Sequence, residues 1–146
     1  MNRLYKKAFT LIEVLLVIVI IAILAGIVII AVNPGRQISQ ANNAQRSSDV
    51  LAILDAVHQF GIDNRGVLPA DIVAAPTVIG NAGIDICTDL VPTYITEMPF
   101  DPTTVDAGYT DCTTYATGYE ISVDADGRVT VSAPDAELSE TISVTR

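Results

Sequence analysis

A single carboxylate, Glu13, stands at the start of the most apolar stretch of the chain. Residues 14–32 are all apolar, a run of nineteen. A charged side chain deep in a bilayer costs about 2.5–3.5 kcal/mol on insertion scales, and such residues usually have a function and a partner. A buried carboxylate is far less costly when it is matched with a buried cation. The chemistry predicted for Glu13 is therefore the pairing of its charge with a buried positive group.

The apolar run predicts a membrane-spanning helix. Nineteen helical residues span about 28 Å, close to the thickness of the hydrocarbon core of a bilayer. Arg3, Lys6 and Lys7 precede the run, and no lysine follows it. Because basic residues hold their end of a span in the cytoplasm, we expect the rest of the chain to be exported. A cleaved secretory signal fits poorly, since its apolar region is usually about 7–15 residues long.

The exported part is strongly acidic. The whole chain has a net charge of −9, and removal of the three basic residues before Ala8 changes it to −12. Such a part is poorly suited to phosphate backbones, so we expect no specific nucleic-acid partner. The only histidine, His58, lies on a predicted helix without a distinctive partner. No nucleophile elbow, phosphate loop or zinc-protease motif is present, so we expect neither enzyme activity nor a cofactor.

The two cysteines, Cys87 and Cys112, both fall in the exported part. An oxidising compartment favours a disulfide between them, and two separate buried thiols are the alternative. Closing this 26-residue loop would stabilise the fold by roughly 3.5 kcal/mol on a chain-entropy estimate. A metal site at the cysteines is not expected, since the one histidine is distant in sequence.

The residues around Glu13 form a specific signature. The string KKAFTLIEVLLVIVI resembles the processing site of type IV prepilins and of the pseudopilins of type II secretion. In that family a membrane peptidase removes a short basic leader on the cytoplasmic face, and the fifth mature residue is glutamate. The resemblance implies cleavage between Ala8 and Phe9, N-methylation of Phe9, and Glu13 as the fifth residue. Ala8 stands where the family usually has glycine.

The resemblance implies a structural subunit of a type IV pilus or a type II secretion pseudopilus, which is a helical filament of copies of one chain. It implies a prepilin peptidase and methylase as the processing partner. It also implies an inner-membrane assembly platform with an ATPase motor. The precursor would cross the bacterial inner membrane once, with its leader in the cytoplasm, before joining an extracellular or periplasmic filament.

Within such a filament, Glu13 of one subunit can meet the terminal amine on Phe9 of a neighbour. That pair would set the axial register between subunits, much as a lone polar residue sets register in a coiled coil. The alternative function is a singly anchored membrane protein that displays an extracytoplasmic binding domain. Surface pilus and secretion pseudopilus both stay open, although the compact size and the string YITEMPFDP favour the major pseudopilin type.

The predicted fold is α+β and pilin-like, with a long N-terminal helix packed on a small antiparallel sheet. We expect four segments: a leader at 1–8, a transmembrane and filament-core helix at 9–32, an amphipathic helix half at 33–66, and a loop region with a C-terminal sheet at 67–146. Pro34 lacks an amide hydrogen, so it must kink or interrupt the long helix.

The amphipathic half is predicted from apolar residues at helical spacing, which should cover the sheet. These residues are Ile38, Ala41, Val50, Ile53, Leu54, Val57 and Phe60. On its polar side, Arg46 and Asp49 are expected to face solvent, with subunit contacts as the alternative. The string NRG at residues 64–66 should end the helix.

The sheet is predicted near the C-terminus. Residues 115–123 and 128–133 alternate as strands around a tight turn with Gly127, and the tail adds a further strand through Ile142 and Val144. Residues 67–104, rich in proline, are expected to form a loop.

Some pseudopilins hold calcium in the sheet region, but this chain shows no full ligand pattern there, so we assign no metal. The acidic residues of that stretch are Asp101, Asp106 and Asp111.

Overall fold

The computed structural model describes residues 9–146. The predicted leader at 1–8, with its basic residues and Ala8, lies outside the described residues. The chain forms two compact units, of which the first ends at Gln37 and the second spans Ile38–Arg146.

The first unit contains helix α1, Leu11–Val32. The stretch Leu11–Ala31 is long and apolar enough to cross a membrane, with a mean hydropathy of 3.6. Its side chains are exposed on every face, so the helix has no polar side that would suit it to water. Lipid or other protein must therefore cover this helix.

The long helix is interrupted at Asn33, directly before Pro34, as the sequence predicts. Asn33 adopts a left-handed conformation (φ 45°) that ends α1, and helix α2 begins at Pro34. Proline suits the first position of a helix because its missing N–H has no helical partner there. The side chain of Asn33 then accepts a hydrogen bond from the backbone N–H of Arg36 at 3.3 Å, which caps the start of α2.

Helix α2, Pro34–Asp63, covers one face of the sheet in the second unit. Its fully buried apolar side chains pack with apolar side chains of the sheet. The helix side of this core contains Val50, Ile53, Leu54 and Val57, and the sheet side contains Tyr119, Ile121, Val129 and Val131. The predicted amphipathic helix is confirmed where Val50, Ile53, Leu54 and Val57 are buried against the sheet. The prediction is wrong for Ile38, which is 62% exposed, and for Ala41, because polar contacts to Glu137 replace the sheet there.

The end of α2 lies at the predicted NRG string. The N–H of Gly66 donates to the carbonyl of Gly61 at 2.7 Å, and the N–H of Arg65 donates to the carbonyl of Ile62 at 3.4 Å. These two bonds form a Schellman motif, which satisfies the last carbonyls of the helix. Arg65 holds the left-handed position (φ 59°) that glycine usually occupies.

The sheet is antiparallel and five-stranded, which confirms the α+β class. Its strands are β1 Thr77–Gly80, β2 Gly108–Asp111, β3 Thr114–Val123, β4 Val129–Ala133 and β5 Ile142–Thr145. Four strands follow the order β1-β3-β4-β5, and β2 pairs with the start of β3. The strands predicted in the C-terminal part and the tail are confirmed. Gly127 has the positive φ (81°) that the turn between β3 and β4 requires.

The predicted loop at 67–104 is wrong in two places. It contains strand β1 and a short helix α3, Cys87–Leu90, and strand β2 follows beyond it. Four residues are too few for a periodic signal, and β1 exists because it pairs with β3. A Cβ at Gly80 would lie 3.1 Å from the carbonyl oxygen of Tyr115, which is a tight contact, so glycine suits the close approach of the two strands here.

A disulfide joins Cys87, the first residue of α3, to Cys112, which lies between β2 and β3. The two Cα atoms are 5.3 Å apart, within the range that a disulfide spans. Cys87 is fully buried in the core. The predicted bond therefore fastens the loop region to the sheet.

Candidate functional site

The start of α1 is fixed by a cap. Thr10 is extended (φ −78°, ψ 151°), and its hydroxyl oxygen accepts a hydrogen bond from the backbone N–H of Glu13 at 3.3 Å. Its carbonyl accepts from the N–H of Val14 at 3.2 Å. Threonine followed three residues later by glutamate is the sequence of a capping box. The helix therefore begins at Leu11, and Phe9 lies outside it.

The Glu13 carboxylate lies in the first turn of this helix. A negative charge is favourable there because the free N–H groups make the helix start partly positive. Within residues 9–146, Glu13 forms no salt bridge. Phe9 and Glu13 line the same open groove of about 250 Å³, and Phe9 is 79% exposed. The two described residues of the predicted assembly site are therefore neighbours on an uncovered surface.

A second polar site surrounds Arg46 on α2. The side chain of Arg46 is fully buried, so the prediction that it faces solvent is wrong. Its Nε donates to one carboxylate oxygen of Asp101 at 2.6 Å, and its Nη2 donates to the other at 3.1 Å. Its Nη1 donates to Asn43 at 2.9 Å and to Glu137 at 3.0 Å. We call these four residues the Arg46 cluster.

The Arg46 cluster also attaches the segment around Glu137 to the first half of α2. The Glu137 carboxylate accepts from the Ser39 hydroxyl at 2.8 Å and from the Asn42 amide at 2.9 Å. The Asn43 side chain donates to the Glu137 carbonyl at 2.8 Å and accepts from its N–H at 2.9 Å. These bonds span more than ninety residues of sequence and hold the connection between β4 and β5 on the helix.

Two acidic residues have roles that the sequence did not indicate. Asp49 is half-buried and accepts a hydrogen bond from the Tyr119 hydroxyl at 2.8 Å. Burial raises the pKa of Asp49. Asp101, considered above for calcium, uses its carboxylate to accept from Arg46 and from the N–H groups of Thr103 and Thr104. Within residues 9–146, no group of three or more His, Cys, Asp or Glu side chains is arranged to hold a metal ion.

Asp101 makes the stability of the second unit sensitive to acid. Burial raises the pKa of Asp101, but hydrogen bonds from Arg46, Thr103 and Thr104 outweigh that effect, and its pKa falls from 3.8 to about 2. Because the folded pKa is the lower one, the stabilisation is complete above about pH 4 and is lost as pH falls toward about 2. The expected loss is about 2 kcal/mol.

Urea unfolding from neutral pH to about pH 2 measures this loss. Asp101→Asn should remove that part of the pH dependence, while Asp126→Asn, at an exposed turn position, should leave it unchanged. An unchanged acid dependence in Asp101→Asn would show that Asp101 does not carry the effect.

One comparison with known proteins identifies the amino-terminal segment. The family model of the prokaryotic N-terminal methylation motif matches residues 3–29. This motif is the signature of prepilin-type leaders of type IV pilins and pseudopilins. The match covers Ala8, Phe9 and Glu13, so these residues lie inside the segment that is similar to such leaders. No curated protein and no solved structure gives a significant match to the chain.

Proposed function

We propose that this protein is a structural subunit of a type IV pilus or a type II secretion pseudopilus. It is made as a membrane precursor, is cut between Ala8 and Phe9, and polymerises through α1. The methylation motif over residues 3–29, placed directly on a helix that is apolar on all faces, carries this proposal.

Cleavage supplies the cation that Glu13 requires. A prepilin peptidase adds water across the peptide bond between Ala8 and Phe9, which leaves a carboxylate on Ala8 and an ammonium group on Phe9. Methylation of that nitrogen keeps its positive charge. The new cation then lies in apolar surroundings beside α1, where a matched carboxylate offsets the desolvation of both charges.

Glu13 and Phe9 connect neighbouring subunits. Glu13 has no salt-bridge partner within the described residues, and its carboxylate is exposed. In a bundle of α1 helices it pairs with the terminal ammonium of an adjacent copy. Only one axial offset between two identical helices brings these groups together, so the pair sets the filament register.

On assembly, the surroundings of helix α1 change. Before assembly, lipid covers its apolar faces in the inner membrane, with the leader in the cytoplasm. In the filament, α1 helices of other copies cover it, and close packing between them takes the place of lipid contacts. An inner-membrane platform with an ATPase motor drives the transfer. The filament lies in the periplasm or outside the cell. Within each subunit, Arg46 stabilises the fold and does not contact other subunits.

Co-expression of the full chain with a prepilin peptidase tests this proposal. We expect a product that lacks residues 1–8, and no product with an inactive peptidase. Ala8→Gly should be cut at least as well as the natural chain, and Ala8→Leu should be cut poorly because the scissile position requires a small residue. A chain that keeps its leader, or that is cut after the apolar run, would contradict the proposal and favour a singly anchored binding protein.

A further inference from the structure

The position at which α1 begins bears on the cleavage itself. Helix α1 starts at Leu11, and Phe9 and Thr10 both lie outside it. The proposed scissile bond, between Ala8 and Phe9, therefore precedes the first helical residue. The N–H of Glu13 is shared between the two oxygens of Thr10, its hydroxyl at 3.3 Å and its backbone carbonyl at 3.2 Å, and the hydroxyl is the side-chain cap of this helix start.

The residues before Thr10 would otherwise favour a longer helix. Lys6, Lys7 and Ala8 are strong helix formers, and alanine is the strongest of all residues. If the helix extended upstream, the Ala8 carbonyl would accept a hydrogen bond from the N–H of Ile12, since helical bonds join residues four apart. The scissile amide would then be locked in helical geometry. A side-chain cap opposes this extension, because an N-cap residue adopts extended rather than helical angles.

We propose that Thr10 is a positioning residue for the processing reaction. Its hydroxyl caps α1 at Leu11 and so keeps Phe9, which contributes the nitrogen of the scissile bond, outside α1, where a peptidase can hydrolyse that bond. Hydrolysis adds one water and yields the Ala8 carboxylate and the Phe9 ammonium group. Thr10 touches neither the water nor the reacting carbonyl and acts only through the helix start. This inference rests on the proposed function.

The role of Thr10 is separable from that of Glu13. The cap uses the backbone N–H of Glu13, whereas assembly uses its carboxylate. Glu13→Gln therefore keeps the hydrogen bond to Thr10 while removing the charge. We expect this variant to be cut at close to the natural rate, which distinguishes a defect in cleavage from a defect in assembly.

The test uses the full precursor in detergent with a purified prepilin peptidase. Thr10→Val keeps the shape of the side chain but removes the acceptor, and Thr10→Ser keeps the acceptor. Loss of an N-cap corresponds to a change of about two- to thirtyfold in the helix-start equilibrium. Thr10→Val should therefore raise the apparent KM, by at most about thirtyfold, at an unchanged kcat, because fewer substrate molecules are in the competent conformation. Thr10→Ser should stay within about twofold of the natural chain.

Amide hydrogen exchange provides a second readout. In Thr10→Val, the N–H of Ile12 should become protected as the helix grows upstream, and in Thr10→Ser it should not. Equal kcat/KM for Thr10→Val and the natural chain would overturn the proposal, as would a Thr10→Ser that is as slow as Thr10→Val. Both results leave the proposed function standing, because the natural chain is still cut. A natural chain that is not cut at Ala8 overturns the proposed function, and this inference with it.

Discussion

Replacing Arg46 with methionine is expected to lower the free energy of unfolding of the second unit by about 3–5 kcal/mol. The guanidinium of Arg46 is fully buried, and it donates two bonds to Asp101, which is itself only 2% exposed. Without the guanidinium, a buried carboxylate loses its charge partner, and Glu137 loses one of the bonds that attach its segment to α2. A loss of this size is a large share of the stability of an ordinary domain.

Urea unfolding of the full chain in detergent, followed by tyrosine fluorescence, measures this loss. Arg128→Met is the matched control, because Arg128 forms an exposed salt bridge to Asp124 in the turn before β4. Such surface pairs contribute about 0–1 kcal/mol. Replacing Arg46 and Asp101 together by apolar residues should recover part of the loss, since the buried carboxylate of Asp101 is then no longer left without its charge partner. An Arg46→Met variant as stable as Arg128→Met would contradict the account of the cluster.

Replacing Glu13 with alanine should abolish filaments or misalign their subunits, while membrane insertion and leader removal continue. The variant loses the only carboxylate of the apolar segment, so insertion becomes easier, by at most the roughly 2.5–3.5 kcal/mol that a charge costs at the centre of a membrane helix. Assembly fails because the ammonium on Phe9 of the neighbouring copy then lies unpaired in apolar surroundings.

Electron microscopy of sheared surface or periplasmic material measures filament yield, and membrane fractionation measures insertion. Glu13→Gln should also fail to assemble, because the amide is polar but uncharged. Leu11→Ala, a change at another exposed position of the same turn, is the matched control and should still form filaments. Normal filaments from Glu13→Ala would rule out the pairing with Phe9.

Features that depend only on residues close together in the sequence were predictable from it. The apolar run of α1, the motif around Glu13 and the interruption at Pro34 are all local, so no knowledge of distant contacts is required. The strands of the C-terminal part were predictable because their side chains alternate around a tight turn with Gly127. The disulfide followed from the presence of only two cysteines in a segment expected to be exported.

The Arg46 cluster was not predictable, because its members are distant in sequence. Arg46 reaches Asp101 across 55 residues and Glu137 across 91. On a helix pattern an arginine indicates a solvent-facing position, and nothing local shows that the chain returns to neutralise it. The error at Ile38 has the same origin, since helical spacing alone does not reveal where the sheet beneath α2 ends.

The central claim, that removal of the leader creates the cation used in assembly, is tested most directly on the assembled material. Mass spectrometry of the amino-terminal peptide from sheared filaments gives the first residue and its modification. The account predicts that every filament subunit begins at Phe9 with a methylated amine and that residues 1–8 are absent. Filaments built from chains that still begin at Met1 would contradict it, because no terminal ammonium group could then lie beside Glu13.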